Sequence, residues 1–186
     1  MESTVKSFAD STFGLEKMRA YPKYCQNCGS RLKTSDPIKL DVPIVCSACD
    51  LQIWHDPKVV AGAVVLCENN ILLVQRRAEL QTDLWSLPAG FVNQTEDPAI
   101  AARREVFEET QIEIAIIELL GLTSTEEIIF IAYSSILPPE NKHPPKISDE
   151  LVMAEWHSLS HLPGLAFPHD KSFIDRAASN IGLPLL

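Results

Sequence analysis

The chain has 186 residues, 46% of them apolar and 22% charged, the make-up of a folded globular protein and not of a disordered or fibrous one. Lys and Arg number 16 against 25 Asp and Glu, a formal net charge of −9. So acidic a surface argues against attraction to a phosphate backbone, so no nucleic-acid partner is expected. An anionic substrate would need metal ions or a few placed arginines. No run of about 18 apolar residues is present, so no membrane span is expected either. Residues 1–20 scatter Glu2, Lys6, Asp10, Glu16, Lys17 and Arg19 and lack the apolar core of a secretory signal. A cytoplasmic protein with reduced thiols is the expectation.

Four of the five cysteines fall in two pairs, Cys25-x2-Cys28 and Cys46-x2-Cys49. Each CxxC bends a turn that aims both sulfurs at one point, and two such turns complete a tetrahedral four-thiolate site suited to Zn²⁺. Gly29 gives the first turn its backbone freedom. Two disulfides fit poorly with a reducing compartment, and a redox pair would need one CxxC within a βαβ pattern. A closed four-sulfur site leaves no open position, so such a zinc holds structure and does no chemistry. Cys67, alone in an apolar run, is a small core residue. The expected organisation is an extension over 1–20, a zinc ribbon over 21–56 and a catalytic domain over 57–186.

Beyond the ribbon, Val59–Leu66 is a β-branched run typical of a buried strand. Asn69-Asn70 turns it into Ile71–Arg76, which makes a hairpin. A loop and the segment Trp85–Val92 follow. Asp97-Pro98 is a helix start, with the aspartate as cap and the proline at the first helical position, and the helix should end near Thr110. Strands are predicted over Ile112–Leu122, Ile128–Leu137 and Leu151–His157, and a last helix over His169–Asn180. The last two strands are separated by a Pro-rich connector from Pro138 to Pro145. Strands before, between and after two helices make an α/β sandwich around a mixed sheet.

The first helix carries an electrostatic penalty. Glu105, Glu108 and Glu109 stand three and four residues apart on neighbouring positions, and like charges so spaced cost a few tenths of a kcal/mol per pair. They also lie in the last turn, where the helix dipole favours cations. Arg104, four residues before Glu108, offsets part of this. A divalent cation would relieve the rest, since oxygen ligands on one face suit Mg²⁺ or Mn²⁺. Neutralising one charge, as in Glu109→Gln, is expected to stabilise the metal-free helix slightly.

Together with the preceding loop the spacing reads Gly90, five residues, Glu96, seven residues, then Arg104-Glu105-Val106-Phe107-Glu108-Glu109-Thr110-Gln111-Ile112. This resembles the signature of the Nudix hydrolases, G-x5-E-x7-R-E-U-x-E-E-x-G-U with U apolar, at every defined position but one. Gln111 stands where the family has a glycine that ends the helix in a left-handed conformation, so it either bears a steric cost or ends the helix differently. The resemblance covers about Pro57 to Ile181 and implies an α/β/α sandwich in which water attacks a diphosphate joining a nucleoside to another group. It implies that Glu105 and Glu109 ligate the metal, that Glu108 ligates a further metal or orients water, and that Ala89 offers its carbonyl. It makes Arg104 the holder of a catalytic carboxylate and Glu96 structural.

The ribbon and the link Asp56-Pro57-Lys58-Val59 resemble two Nudix groups, the NADH pyrophosphatases and a set acting on ADP-ribose, FAD and similar dinucleotides. The S-Q-P-W-P-F-P element of the first group is missing from Gly121–Glu127, which favours the second. Glu150 is the candidate general base on a distant loop, with an exposed strand-edge charge as the plain alternative. Arg76 and Arg77 are candidates for phosphate contact or for surface salt bridges. Phe91 and Tyr133 could stack on a base or belong to the core. The expected partner is a small nucleotide, with a homodimer left open. A non-catalytic nucleotide-sensing module is the competing reading, and the three crowded carboxylates argue against it. Hydrolysis of capped RNA would need basic stripes that the sequence lacks.

Overall fold

The structure is a computed structural model that describes residues 22–33, 42–77, 83–125 and 127–182. The extension expected over 1–20 lies outside the described residues, as do residues 34–41 of the ribbon. The chain divides after Pro57 into two compact units.

The first unit is built on its cysteines. Strands β1 (Ile44–Val45) and β2 (Gln52–Ile53) pair antiparallel, and Cys25, Leu32, Ile44 and Cys46 form its small core. The two CxxC turns are alike: Gly29 N–H bonds the Cys25 carbonyl and Asp50 N–H bonds the Cys46 carbonyl, each at 2.9 Å. Both turns close on a left-handed residue, Gly29 at φ 71° and Asp50 at φ 55°. Glycine reaches that conformation without strain, and aspartate is among the few other residues that visit it.

The second unit is a mixed sheet between two helices. Its strands are β3 (Lys58–Cys67), β4 (Asn70–Arg76), β5 (Ala89–Phe91), β6 (Glu118–Ser124), β7 (Ile128–Ile136) and β8 (Leu151–Ser158). They are ordered β6-β7-β3-β4-β8, with β5 on β3, and β3–β7 is the parallel pair. Helix α1 (Pro98–Thr110) covers one face and α2 (Pro168–Asn180) the other. Strand β3 alternates accordingly. Ala63, Val65 and Cys67 pack with Val106 of α1, while Val64 and Leu66 share a core with Phe173, Ile174 and Ala177 of α2.

Asp97 caps α1 by accepting from Ala99 N–H at 2.8 Å, and Pro98 opens the helix as its spelling predicts. The strand predicted from Ile112 begins only at Glu118 and runs on to Ser124. Ile112 and Ile114 are buried against the α1 face of the sheet, so the segment they open carries a strand-like apolar pattern before pairing with β7 begins at Ile117, whose N–H bonds the Ser134 carbonyl at 2.9 Å.

Strands β3 and β4 keep only two register pairs, Leu66–Ile71 and Cys67–Asn70, and then part. Residues 85–91 enter the gap: Ser86 exchanges both backbone bonds with Val74 of β4, and β5 lies on the first half of β3. Ala63 N–H bonds the Pro88 carbonyl and Val92 N–H the Val59 carbonyl, so Gly62 and Ala89 face each other as a non-hydrogen-bonded pair. The N–H and C=O of Ala89 therefore point away from β3. The close pairing also demands glycine at 62, because a Cβ there would stand 2.6 Å from Ala89 Cβ and 2.9 Å from the Pro88 carbonyl oxygen.

Candidate active site

The outward edge of β5 meets α1. Glu109, in the last turn, turns inward and is 3% exposed; its Oε2 accepts from Ala89 N–H at 3.1 Å and its Oε1 pairs with Arg76 Nη1 at 2.6 Å. Arg76 Nη2 donates to the Ala89 carbonyl. Glu105, one turn earlier, lays its carboxyl over Gly90, where a Cβ would fall 2.1–2.3 Å from the carboxyl atoms. Any side chain at 90 would therefore push the Glu105 carboxyl out of this position.

Arg104 binds the remaining acids. It donates to Glu96 at 2.8 and 2.9 Å, to Glu105 at 2.7 Å, to Glu108 at 2.9 Å and to the Phe91 carbonyl at 3.0 Å. One guanidinium so fixes the loop and two of the three helix carboxylates. The three acids do not converge alike: Glu105 and Glu109 face β5, whereas the Glu108 side chain is 55% exposed and joins Glu105 through the shared Arg104 Nη1.

Burial pushes the Glu109 carboxyl up to about 7, against the pull of the Arg76 charge. Burial also raises Glu105, with the bond from Arg104 drawing it back. Glu96, bonded by Arg104 and by Asn93 N–H, is held down at about 2. A carboxylate kept buried against its own desolvation is a site under electrostatic demand. The cationic Arg76 guanidinium, seated against Glu109 and the Ala89 carbonyl, shows that this set of oxygens accepts positive charge. Hard oxygen donors of this kind fit Mg²⁺ or Mn²⁺.

Gln111 adopts the left-handed conformation, φ 57° and ψ 23°, that the motif's glycine would take. Its backbone N–H bonds the Phe107 carbonyl at 2.8 Å, and its side-chain amide adds a second bond there at 3.0 Å. The C-terminal carbonyls of α1 are met by the 146–150 loop, through Lys146 N–H to Thr110 and Ser148 N–H to Glu109. Glu150 lies on that loop, exposed, with its carbonyl accepting from Arg77 N–H at 3.1 Å. Its loop is therefore joined to both α1 and the end of β4. Arg77 is exposed, Phe91 is 51% exposed, and Tyr133 packs beside Ala61, Ala101 and Ala102.

Two features lie beyond what the sequence reading found. One is the contact of Arg76 with Ala89 and Glu109. The other is Asp170, at the third position of α2 and 1% exposed, which accepts from Leu87 N–H at 3.3 Å. Burial raises its carboxyl to about 7. An acid three residues into a Pro-opened helix was the available signal, but nothing local shows that it is buried.

In the first unit the sulfurs of Cys25, Cys28, Cys46 and Cys49 all lie within 4.8 Å of one another, and the Cys25–Cys49 and Cys28–Cys46 pairs stand at 3.6 Å. Four sulfurs about 2.3 Å from one centre have edges of about 3.8 Å, so a tetrahedral ion fits them, and none of the described cysteines is in a disulfide. The Ser30 hydroxyl and N–H draw the Cys28 thiol down to about 6, toward the thiolate that a metal binds.

A sequence profile described as the NUDIX domain matches residues 56–177, and the chain belongs to that family of hydrolases. An ADP-ribose pyrophosphatase of Methanocaldococcus jannaschii is 30% identical over 133 residues, which cover 67% of this chain and 75% of that protein. The NAD-capped RNA hydrolase NudC of Pseudomonas aeruginosa is 27% identical over 152 residues, 77% of this chain but only half the length of NudC. A NUDIX hydrolase crystal structure from Nitrosomonas europaea shares the fold at a TM-score of 0.73 and 24% identity, covering 89% of this chain and 96% of that one. None of the described helices is long and apolar enough to cross a membrane.

Proposed function

We propose that the chain is a metal-dependent pyrophosphatase that cleaves the diphosphate of ADP-ribose or a related dinucleotide, FAD or NADH, and releases AMP. The observation that carries this reading is the buried Glu109 carboxylate, held against the Ala89 N–H beside the Ala89 carbonyl and one turn from Glu105. The relative named ADP-ribose pyrophosphatase supports the substrate class. Glu105, Glu109 and the Ala89 carbonyl hold Mg²⁺ or Mn²⁺, with Glu108 as a more exposed further ligand. Bound there, such an ion would supply the positive charge that offsets the diphosphate and lowers the pKa of a water. Arg104 keeps Glu105 and Glu108 in place. Arg76 and Arg77 bind phosphate oxygens, the positive groups that a protein at −9 needs for an anionic substrate. Glu150, on the loop tied to both α1 and β4, takes the proton of the water. As water adds to one phosphorus, the bond from that phosphorus to the bridging oxygen breaks. Zn²⁺ on Cys25, Cys28, Cys46 and Cys49 holds the first unit together.

AMP release from ADP-ribose, FAD, NADH and an NAD-capped oligoribonucleotide, with and without Mg²⁺, tests this. ADP-ribose or FAD should lead, NADH should follow, and EDTA should abolish turnover. A clear preference for NADH or for the capped RNA would reassign the substrate. Hydrolysis of nucleoside triphosphates alone would place the chain outside this group.

A further inference from the structure

Arg76 closes β4, where its backbone is paired with Leu151 of β8. Its guanidinium holds Glu109 Oε1 at 2.6 Å and the Ala89 carbonyl. These are two of the oxygen groups given above to the divalent cation. We propose that Arg76 and the cation exclude one another from the Glu109–Ala89 cradle, so that metal binding releases Arg76 toward the substrate's phosphates. The inference rests on the metal-dependent reading above and adds an order to it, metal before the arginine–phosphate contact.

The division of labour on Glu109 supports the exchange. Oε2 holds the Ala89 N–H at 3.1 Å and so fixes β5 against α1 whichever cation is present. Oε1 and the Ala89 oxygen carry the exchangeable charge. A guanidinium fork bridges a carboxylate and a carbonyl through two separate nitrogens, and its charge opposes a second cation on the same oxygens. The backbone of Arg76 is held in the β4–β8 ladder, so the exchange asks only for a rotamer change in a long side chain that is already 20% exposed. Once displaced, the guanidinium stays tethered to the end of β4, next in the chain to Arg77.

Mn²⁺ alone is the probe, titrated by electron paramagnetic resonance at one fixed pH for every variant. Removing the competitor in Arg76→Ala should tighten Mn²⁺ binding by about tenfold or more. Arg76→Lys, which keeps the charge but lacks the planar fork and the length of the guanidinium, should fall between the two. Thermal unfolding of Arg76→Ala should be lowered in EDTA, and the deficit should shrink at saturating Mn²⁺. With metal saturating, KM for ADP-ribose should rise in Arg76→Ala by more than kcat falls. Unchanged or weaker Mn²⁺ binding in both Arg76 variants would overturn the exchange while leaving the metal site standing. Mn²⁺ binding that Glu109→Gln leaves intact would instead remove the metal reading, and the exchange with it.

Discussion

Glu109 is where charge, burial and backbone meet. Its carboxylate holds β5 through Ala89 N–H and pairs with Arg76, yet burial raises it to about 7 in spite of both, so the expectation that neutralising it relieves the metal-free fold stands as a prediction. Glu109→Gln removes a charge that folding disfavours even with Arg76 beside it, so the metal-free protein above about pH 7 should be no less stable than the parent. Turnover should fall by about a thousandfold or more, because cation positioning and water activation fail together. Thermal unfolding in EDTA and turnover in excess Mg²⁺ measure the two effects, and a clearly lowered Tm would mean that the Arg76 pair outweighs the burial of the charge. A variant with unchanged turnover would mean that the carboxylates serve no catalysis. Asp170 gives a prediction in pH. Burial raises its carboxyl from 3.8 to about 7, so the native state holds a proton that the unfolded chain has released. Stability from this group is complete below about pH 4 and is lost as pH rises toward 7. Asp170→Asn cannot ionise. Relative to the parent, it should gain on the order of 3 kcal/mol between about pH 4 and about pH 8, measured by urea unfolding in EDTA. A pH-independent difference would show that Asp170 does not titrate on folding.

At the level of elements, the readable parts were those specified by neighbours in the chain. Asp97-Pro98 marked the start of α1 because capping is a contact across two residues, and the β3–β4 hairpin followed from Asn69-Asn70. The start of β6 was not readable, since Ile112 and Ile114 are buried by packing under the sheet without pairing, and burial alone spells the same pattern. The carboxylates of α1 were visible as a spacing, but which of them turned inward was not. That is decided by β5, whose Ala89 lies 20 residues from Glu109. Asp170 depends on Leu87, 83 residues away, and no local rule reaches so far. Gln111 shows the reverse, a departure from the motif that left the geometry intact. It sits at φ 57°, where a Cβ costs about 1–2 kcal/mol, and recovers part of this through its amide bond to Phe107. Gln111→Gly should therefore stabilise the protein by about 0.5–1 kcal/mol, seen as a rise in Tm, with turnover unchanged. A fall in Tm would mean that the side-chain bond outweighs the strain.

For the whole molecule, the division after Pro57 separates two sources of stability. The second unit has a sheet with a core on each face. Among the described residues, the first has a core of four, two of them cysteines, and two strands of two residues each. So small an apolar core cannot offset the entropy of ordering its chain, and units of this size need a staple. The four converging sulfurs supply one only if an ion joins them, because no disulfide does so among the described cysteines. The purified protein should hence contain about one zinc per chain by elemental analysis. Cys46→Ser removes a buried ligand and should release that zinc, since the serine hydroxyl stays protonated where the thiol ionises. The first unit should then lose its protection from proteolysis and hydrogen exchange. The oxygen ligands proposed for the catalytic cation all come from the second unit, so turnover per folded molecule should fall far less than stability does. Full zinc content and unchanged protease resistance in Cys46→Ser would mean that the sulfurs converge without a metal to hold. Loss of turnover matching that of Glu109→Gln would mean instead that the cysteine-bound ion takes part in the chemistry.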